Sequence, residues 1–202
     1  MIYNDIIFTL TIYNQWIFLS LFLTKGGYTV RKYQFNWDLI GDIDQGRPNL
    51  GANTDVDVYR LMQFTMRDVL EDKYGSEIAD EVFRNAGKLA GTEFYMKFIH
   101  PAETLNDFVS KVQNILREKR IGVLRVEKVD MDDGKIMLTV DEDLDCSGLP
   151  ELDYETCIYD EGFIAALFDC FTQENWTAKE IDCWCTGART CRFDVSKSKV
   201  PT

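Results

Sequence analysis

Six cysteines are the residues of this sequence most able to do chemistry, and all six lie between residues 146 and 202. Disulfide scaffolds are usually short secreted chains with small cores. This chain has 202 residues, which is enough to bury a core without disulfides, and it has no evident cleavable secretion signal. We therefore expect reduced thiols, some of them bound to a metal.

Three thiolates and a carboxylate would make a tetrahedral zinc site. Cys157 begins a predicted helix, where the helix dipole favours a thiolate, and Cys183 and Cys191 should meet across a hairpin. Glu180 is the candidate carboxylate, but regular pleating puts it on the strand face opposite Cys183. A bulge or an early strand end must therefore turn Glu180 inward. The reserve ligands are Cys146 and Cys185. The alternative is that these cysteines are small buried hydrophobes.

The elements that must position these residues follow from hydrophobic periodicity. The period of 3.6 predicts helices over about Val56–Lys73, Glu77–Ile99, Ala102–Lys119 and residues 158–172. The period of two predicts strands over about Gly122–Val129, Lys135–Val140, Thr177–Trp184 and Arg189–Val195. This order predicts an α+β fold, an antiparallel sheet with helices packed on one face.

Charge and composition exclude several classes of function. The net charge is −12, which disfavours direct binding to nucleic acid or to anionic lipid. The single histidine, His100, nearly rules out Ser-His-Asp, Cys-His and multi-histidine metal sites. The acidic run over residues 141–145 does not have the spacing of an EF-hand loop, so we expect a solvated loop there.

The chain divides by composition into four parts. We predict an apolar N-terminal arm over residues 1–40, a turn-rich linker over 41–55, one domain over 56–196 and a tail over 197–202. Within the arm, residues 6–23 are almost wholly apolar, but Asn14 and Gln15 interrupt them. We expect this run to pack on the domain or on a partner rather than to anchor the chain in a membrane, and the protein to be cytoplasmic.

The stretch from Cys146 to Val195 resembles the C-terminal half of the 4-vinyl reductase domain, also called the hydrocarbon-binding domain. The matching features include Cys-Ser-Gly-Leu-Pro from Cys146, then Cys157, Glu180, Cys183 and Cys191-Arg192-Phe193. The likeness extends over about residues 55–196. The spacing of Cys157, Glu180, Cys183 and Cys191 is similar to the zinc-binding set in the sensor domains of phenol-responsive transcription activators.

The resemblance implies a fold like that of transport-particle (TRAPP) subunits, often dimeric, with an apolar pocket closed by a zinc-pinned flap. We place this pocket between the second and third helices and the sheet. Small residues on the second helix leave space there, although another helix is the more usual reason for such spacing. The candidate walls are Phe83, Ala86, Ala90, Phe94, Phe98, Phe108 and Val112. The alternative is that these side chains fill a solid core.

Three functions remain open. The leading hypothesis is a zinc-containing sensor or carrier of a small hydrophobic molecule, a homodimer that acts through a partner protein. The second is a vinyl reductase, or its accessory protein, in tetrapyrrole metabolism. Hydride chemistry needs a nicotinamide or flavin, and no phosphate-binding G-x-G-x-x-G follows a strand, so a binding module is favoured over an enzyme. The third is a TRAPP-like scaffold.

Overall fold

The computed structural model describes residues 32–198, which form two units that divide between Asn53 and Thr54. The first unit holds two short helical turns, Trp37–Ile40 and Ile43–Gly46. The apolar run at residues 6–23 lies outside the described residues. Among the residues described, no helix is both long enough and apolar enough to cross a membrane. The predicted domain boundaries stay a prediction.

The second unit begins with three helices close to those predicted. They are α1 (Val56–Tyr74), α2 (Ser76–Phe94, extended by a π-helical turn over Tyr95–Ile99) and α3 (Leu105–Glu118). Gly75 separates α1 from α2 with a φ of 81°, a backbone angle that glycine adopts without strain. α3 starts three residues later than predicted because the Thr104 side chain accepts a hydrogen bond from the backbone N–H of Asp107 and caps the helix.

A four-stranded antiparallel sheet and a fourth helix complete the unit. The strands are β1 (Val123–Asp130), β2 (Lys135–Asp141), β3 (Trp176–Asp182) and β4 (Cys191–Lys197), and helix α4 spans Ile158–Thr172. The strand order across the sheet is β1-β2-β4-β3. Ile136, Leu138 and Val140 are buried on one face of β2, as their alternation predicts. The predicted α+β fold is confirmed.

α2 and α4 are in backbone contact along their small residues. A Cβ atom added at Gly87 would lie 2.0 Å from the carbonyl oxygen of Tyr159, and one added at Gly162 would lie 2.0 Å from that of Arg84. The small residues of α2 therefore accommodate another helix, which is the usual reason for such spacing. This contact fixes the start of α4, where Cys157 lies.

Candidate metal centre

Four cysteine sulfurs converge in the interior of the second unit. Cys146, Cys157, Cys183 and Cys191 have no exposed surface, and their sulfur atoms all lie within 4.8 Å of one another. They come from a loop after β2, the start of α4, the end of β3 and the start of β4. Residues distant in the sequence thus form one buried group of soft ligands, which suits a metal such as zinc.

The distances between these sulfurs fit a tetrahedral ion on most edges. Four sulfurs at about 2.3 Å from zinc lie about 3.8 Å apart in a regular tetrahedron. The Cys157 sulfur is 3.8 Å from that of Cys191 and 4.0 Å from that of Cys183. The sulfurs of Cys146 and Cys191 are closer, at 3.0 Å. Cys157, Cys183 and Cys191 therefore fit the predicted three-thiolate part of the site.

Glu180 lies beside this cluster with one carboxylate oxygen unpaired. Its side chain is 1% exposed, and its Oε2 accepts a hydrogen bond of 3.2 Å from the backbone N–H of Cys157. Its Oε1 is buried and has no hydrogen-bond partner in the described part of the chain. An unpaired buried carboxylate oxygen is costly, and a metal ion would satisfy it. The pairing of β3 with β4 shifts between Glu180 and Asp182, which is the bulge that the sequence required.

A second buried carboxylate, that of Glu161, holds the backbone at Glu180. Glu161 Oε1 accepts hydrogen bonds from the backbone N–H of Glu180 at 3.1 Å and from Lys179 Nζ at 2.9 Å. Its Oε2 accepts from Nε and Nη2 of Arg84 on α2. The positions of β3, α2 and α4 around the cluster are thus linked through one side chain. Sequence reasoning missed Glu161 because an acidic residue in a helix gives no sign of its burial.

A tight turn after β3 presents Cys183 to the cluster. The Cys183 carbonyl oxygen accepts hydrogen bonds of 3.1 Å from the N–H groups of Thr186 and Ala188. The Cys183 N–H donates to Thr186 Oγ1 at 3.2 Å, and Gly187 takes the left-handed conformation with a φ of 91°. Because this turn is closed by its own hydrogen bonds, the cysteine is oriented before any metal binds.

The electrostatics of the group favour a bound cation. Hydrogen bonds from Cys146, Cys157 and Cys191 hold the pKa of the Cys183 thiol well below its usual range. The same sulfur contacts, with that of Cys146 largest, raise the pKa of Cys157 far above it. Burial, and then the charge on Cys183, raises the pKa of Glu180 to about 8. Protons alone therefore leave one thiolate here, and ionising the remaining ligands requires a positive ion.

The expectation that the acidic run at residues 141–145 is a solvated loop is wrong for two of its members. Asp143 and Asp145 are 5% and 4% exposed. They are buried because local donors satisfy them: Asp143 Oδ1 accepts from the N–H groups of Asp145 and Cys146. Asp145 accepts hydrogen bonds of 2.8 Å from the Tyr59 hydroxyl and the Gln63 amide. Two side chains of α1 thereby hold the loop that carries Cys146.

The two remaining cysteines lie outside the group of four. Cys185 is buried, and its sulfur lies 3.3 Å from the Thr156 hydroxyl oxygen. Cys170 is half-buried on α4 and packs against the hydrophobic core. The structure thus places the reserve ligand Cys146 with the other sulfurs and leaves Cys185 at the edge. The choice of fourth ligand between Glu180 and Cys146 stays a prediction.

The predicted pocket walls are distributed over several environments. The Phe94 ring lies 4.9 Å from that of Phe98, and the Phe108 ring stacks on that of Phe171 at 4.4 Å. Val112 is buried, Ala90 is half-buried and Ala86 is exposed. Phe83 lines a cavity of about 210 Å³ between α1, α2 and the loop over residues 149–156. The predicted pocket between α2, α3 and the sheet stays a prediction.

Comparison with known sequences gives one family and two distant relatives. Residues 136–197 match the family model of the 4-vinyl reductase domain. Two uncharacterized proteins of Methanocaldococcus jannaschii are similar to this chain. One is 23% identical over 151 residues, covering 72% of this chain and 80% of the relative. The other is 25% identical over 116 residues, covering 57% and 64%. The resemblance inferred from the cysteine motifs is confirmed.

Three solved structures share the fold at low sequence identity. The phenol-responsive sensory domain of the transcription activator PoxR, with phenol, superposes with a TM-score of 0.54 at 13% identity, covering 66% of this chain and 71% of that one. A vinyl-4-reductase family protein of Methanocaldococcus jannaschii gives 0.52 at 12%, covering 84% and 99%. Subunit 3 of a trafficking protein particle complex from Naegleria fowleri, covalently bound to palmitic acid, gives 0.56 at 10%, covering 71% and 95%.

Proposed function

We propose that this chain, whose residues 136–197 match the 4-vinyl reductase domain, is a zinc-containing binding domain for a small hydrophobic molecule and signals through a partner protein. The observation that carries the proposal is the loop between Cys146 and Cys157. Both of its ends lie in the buried sulfur cluster, and its residues 149–156 form one wall of a cavity. A metal at the cluster would therefore fix one wall of a ligand site.

The metal is zinc, with a structural role. Cys157, Cys183 and Cys191 are three ligands, Glu180 is the predicted fourth, and Cys146 is the alternative that the sulfur geometry favours. A closed set of four buried ligands leaves no position open for substrate, which is typical of structural zinc. Zinc supplies positive charge to the thiolates and joins elements that are distant in sequence.

The similar folds support the ligand class. One of these structures is a sensory domain with phenol, and another is covalently bound to palmitic acid. Both bound molecules have a hydrophobic body. A fold that encloses such molecules in other proteins is a suitable framework for the same task in this one, and the negative net charge of this chain fits a neutral rather than an anionic ligand.

A second copy of the chain and a reducing compartment complete the proposal. Five large apolar residues of α1 are between 51% and 66% exposed and form the α1 apolar stripe: Val58, Leu61, Met62, Met66 and Val69. Burying this stripe against its symmetry mate would give an isologous dimer. Free thiols in the interior suit the reducing cytoplasm.

Native mass spectrometry of the full chain, with an absorbance spectrum of the same sample, tests the proposed function. We expect one zinc per chain, a dimer and a co-purified or added hydrophobic molecule in the bound state. A visible absorption band from a tetrapyrrole or flavin would favour the reductase alternative. A chain that carries no metal and binds no hydrophobic compound would contradict the proposal.

A further inference from the structure

The cavity between α1, α2 and the loop over residues 149–156 has an apolar wall with two polar residues. Its volume is about 210 Å³. For comparison, an engineered apolar cavity of about 150 Å³ holds benzene, so this space suits one ring with a short substituent. Gln63 and Arg67 are the polar residues, and the apolar wall is formed by Phe64, Phe83, Leu149, Pro150, Leu152 and Tyr154.

Each of the two polar residues leaves one buried atom without a partner. Gln63 donates through Nε2 to Asp145, but its Oε1 has no hydrogen-bond partner in the described chain. Arg67 pairs with Glu71 and Asp80 through Nε and Nη2, whereas its Nη1 is buried and unpaired over the same residues. Gln63 and Arg67 are four residues apart and so share one face of α1. One acceptor and one donor are therefore left unsatisfied side by side.

The charges around the two atoms select against an anion. The Arg67 guanidinium lies 2.7 Å from a Glu71 oxygen and 2.6 Å from an Asp80 oxygen, so two carboxylates already surround this one cation. A third carboxylate, that of Asp145, lies against the Gln63 amide. An anionic ligand would meet net negative charge, and it could not donate a hydrogen bond to Gln63.

We propose that this cavity binds a neutral, single-ring hydrophobic molecule through one group that accepts a hydrogen bond from Arg67 Nη1 and donates one to Gln63 Oε1. A hydroxyl meets this requirement. The aromatic side chains of Phe64, Phe83 and Tyr154 suit a ring as the ligand body. Arg67 is oriented by its two carboxylates and lies 5.6 Å from the centre of the Phe83 ring. The inference rests on the proposed function, because it names the ligand class of a binding domain.

The test compares benzyl alcohol, ethylbenzene and benzoate as probes of the full-length, zinc-loaded protein, with affinities from ligand-observed NMR titration. Gln63→Met removes the acceptor and keeps the length of the side chain. It should weaken benzyl alcohol roughly fivefold, the effect of one hydrogen bond, and leave ethylbenzene unchanged or tighter. Benzoate should bind most weakly to the wild type.

Two further variants keep the result interpretable. Gln113→Met is the matched control, because Gln113 lies on α3 and donates to the Leu124 carbonyl oxygen, away from the cavity. It should alter neither affinity. Leu152→Trp should fill the cavity and abolish binding of benzyl alcohol and ethylbenzene, with zinc content showing that the fold persists.

Four outcomes overturn the inference: no binding of benzyl alcohol, equal loss of both probes in Gln63→Met, benzoate as the tightest probe, or unchanged binding in Leu152→Trp. In the last case the domain still binds a small molecule at another site, so the proposed function survives. Failure of every hydrophobic probe together with absence of a co-purified ligand would contradict both proposals.

Discussion

Two side chains, Glu180 and Cys146, are rivals for the fourth position around the metal. Glu180 has the spacing that the family resemblance implies, and its Oε1 is unpaired. Cys146 has the position, since its sulfur lies with the other three. A thiolate binds zinc at about 2.3 Å and a carboxylate at about 2.0–2.2 Å, so a small shift of either side chain decides between them.

Substitution of each rival should identify the fourth ligand. Cys183→Ser removes a ligand common to both sets and should reduce zinc well below one per chain. If Glu180 is the ligand, Glu180→Gln should lower zinc affinity by tenfold or more while Cys146→Ser has little effect; the reverse ranking would assign Cys146. Zinc content and a competition titration with a chromophoric chelator measure both.

Cys170→Ser is the control for this series, because Cys170 lies on α4 outside the cluster. It should keep one zinc per chain. Full zinc retention in Cys183→Ser would contradict the whole ligand assignment.

At the scale of elements, the contact between α2 and α4 depends on glycines. Gly162→Ala should lower the free energy of unfolding by roughly 1–3 kcal/mol, since its methyl group would overlap the Arg84 carbonyl oxygen and force the helices apart. Thermal or urea unfolding followed by circular dichroism measures the change. Gly46→Ala is the control, because a Cβ there meets nothing within 4 Å. Equal stability of the two variants would show that α2 and α4 tolerate a wider separation.

The α1 apolar stripe carries the prediction on assembly. Met62→Lys should convert the expected dimer into a monomer, because it places a charge in the middle of the buried patch. Light scattering at micromolar concentration should fall from twice the chain mass of 23.4 kDa to that mass. Ile181→Lys, at an exposed position on β3, should leave the dimer intact. A wild-type protein that is monomeric throughout this range would refute the symmetric dimer.

For the whole molecule, the zinc site should act as a crosslink between the loop after β2, α4 and the β3–β4 hairpin. Removing zinc with a strong chelator should lower the unfolding midpoint by about 10 °C, because structural zinc contributes several kcal/mol to folding. Calorimetric scans of the same sample before and after chelation, and after zinc is restored, measure the effect. An unchanged midpoint would mean that packing alone holds these elements.

Zinc uptake should also release protons. Burial and neighbouring sulfurs keep Cys157 and Cys191 protonated in the metal-free cluster, since their pKa values are raised. Metal binding requires the thiolates, so zinc affinity should fall as the pH is lowered. Calorimetric titrations in buffers of different ionisation enthalpy would count the protons released. A count of zero would contradict the assigned thiolate ligands.

The sequence by itself determined the order and approximate bounds of the helices and strands, because hydrophobic periodicity is a local property of the chain. It also determined which cysteines were candidates and that Glu180 needed a bulge to reach them. Each of these inferences uses neighbours within a few residues, or one hairpin, and such distances are short enough to be predicted from spacing.

Only the tertiary structure decided which distant residues meet. It brought Cys146 to the other sulfurs, buried Asp143 and Asp145, and left Gln63 and Arg67 with unpaired atoms beside a cavity. No spacing rule predicts these contacts, because each depends on how α1 and the loop after β2 pack together. A polar residue in a sequence looks solvated until packing removes the water around it, and its hydrogen-bond partners then come from other elements.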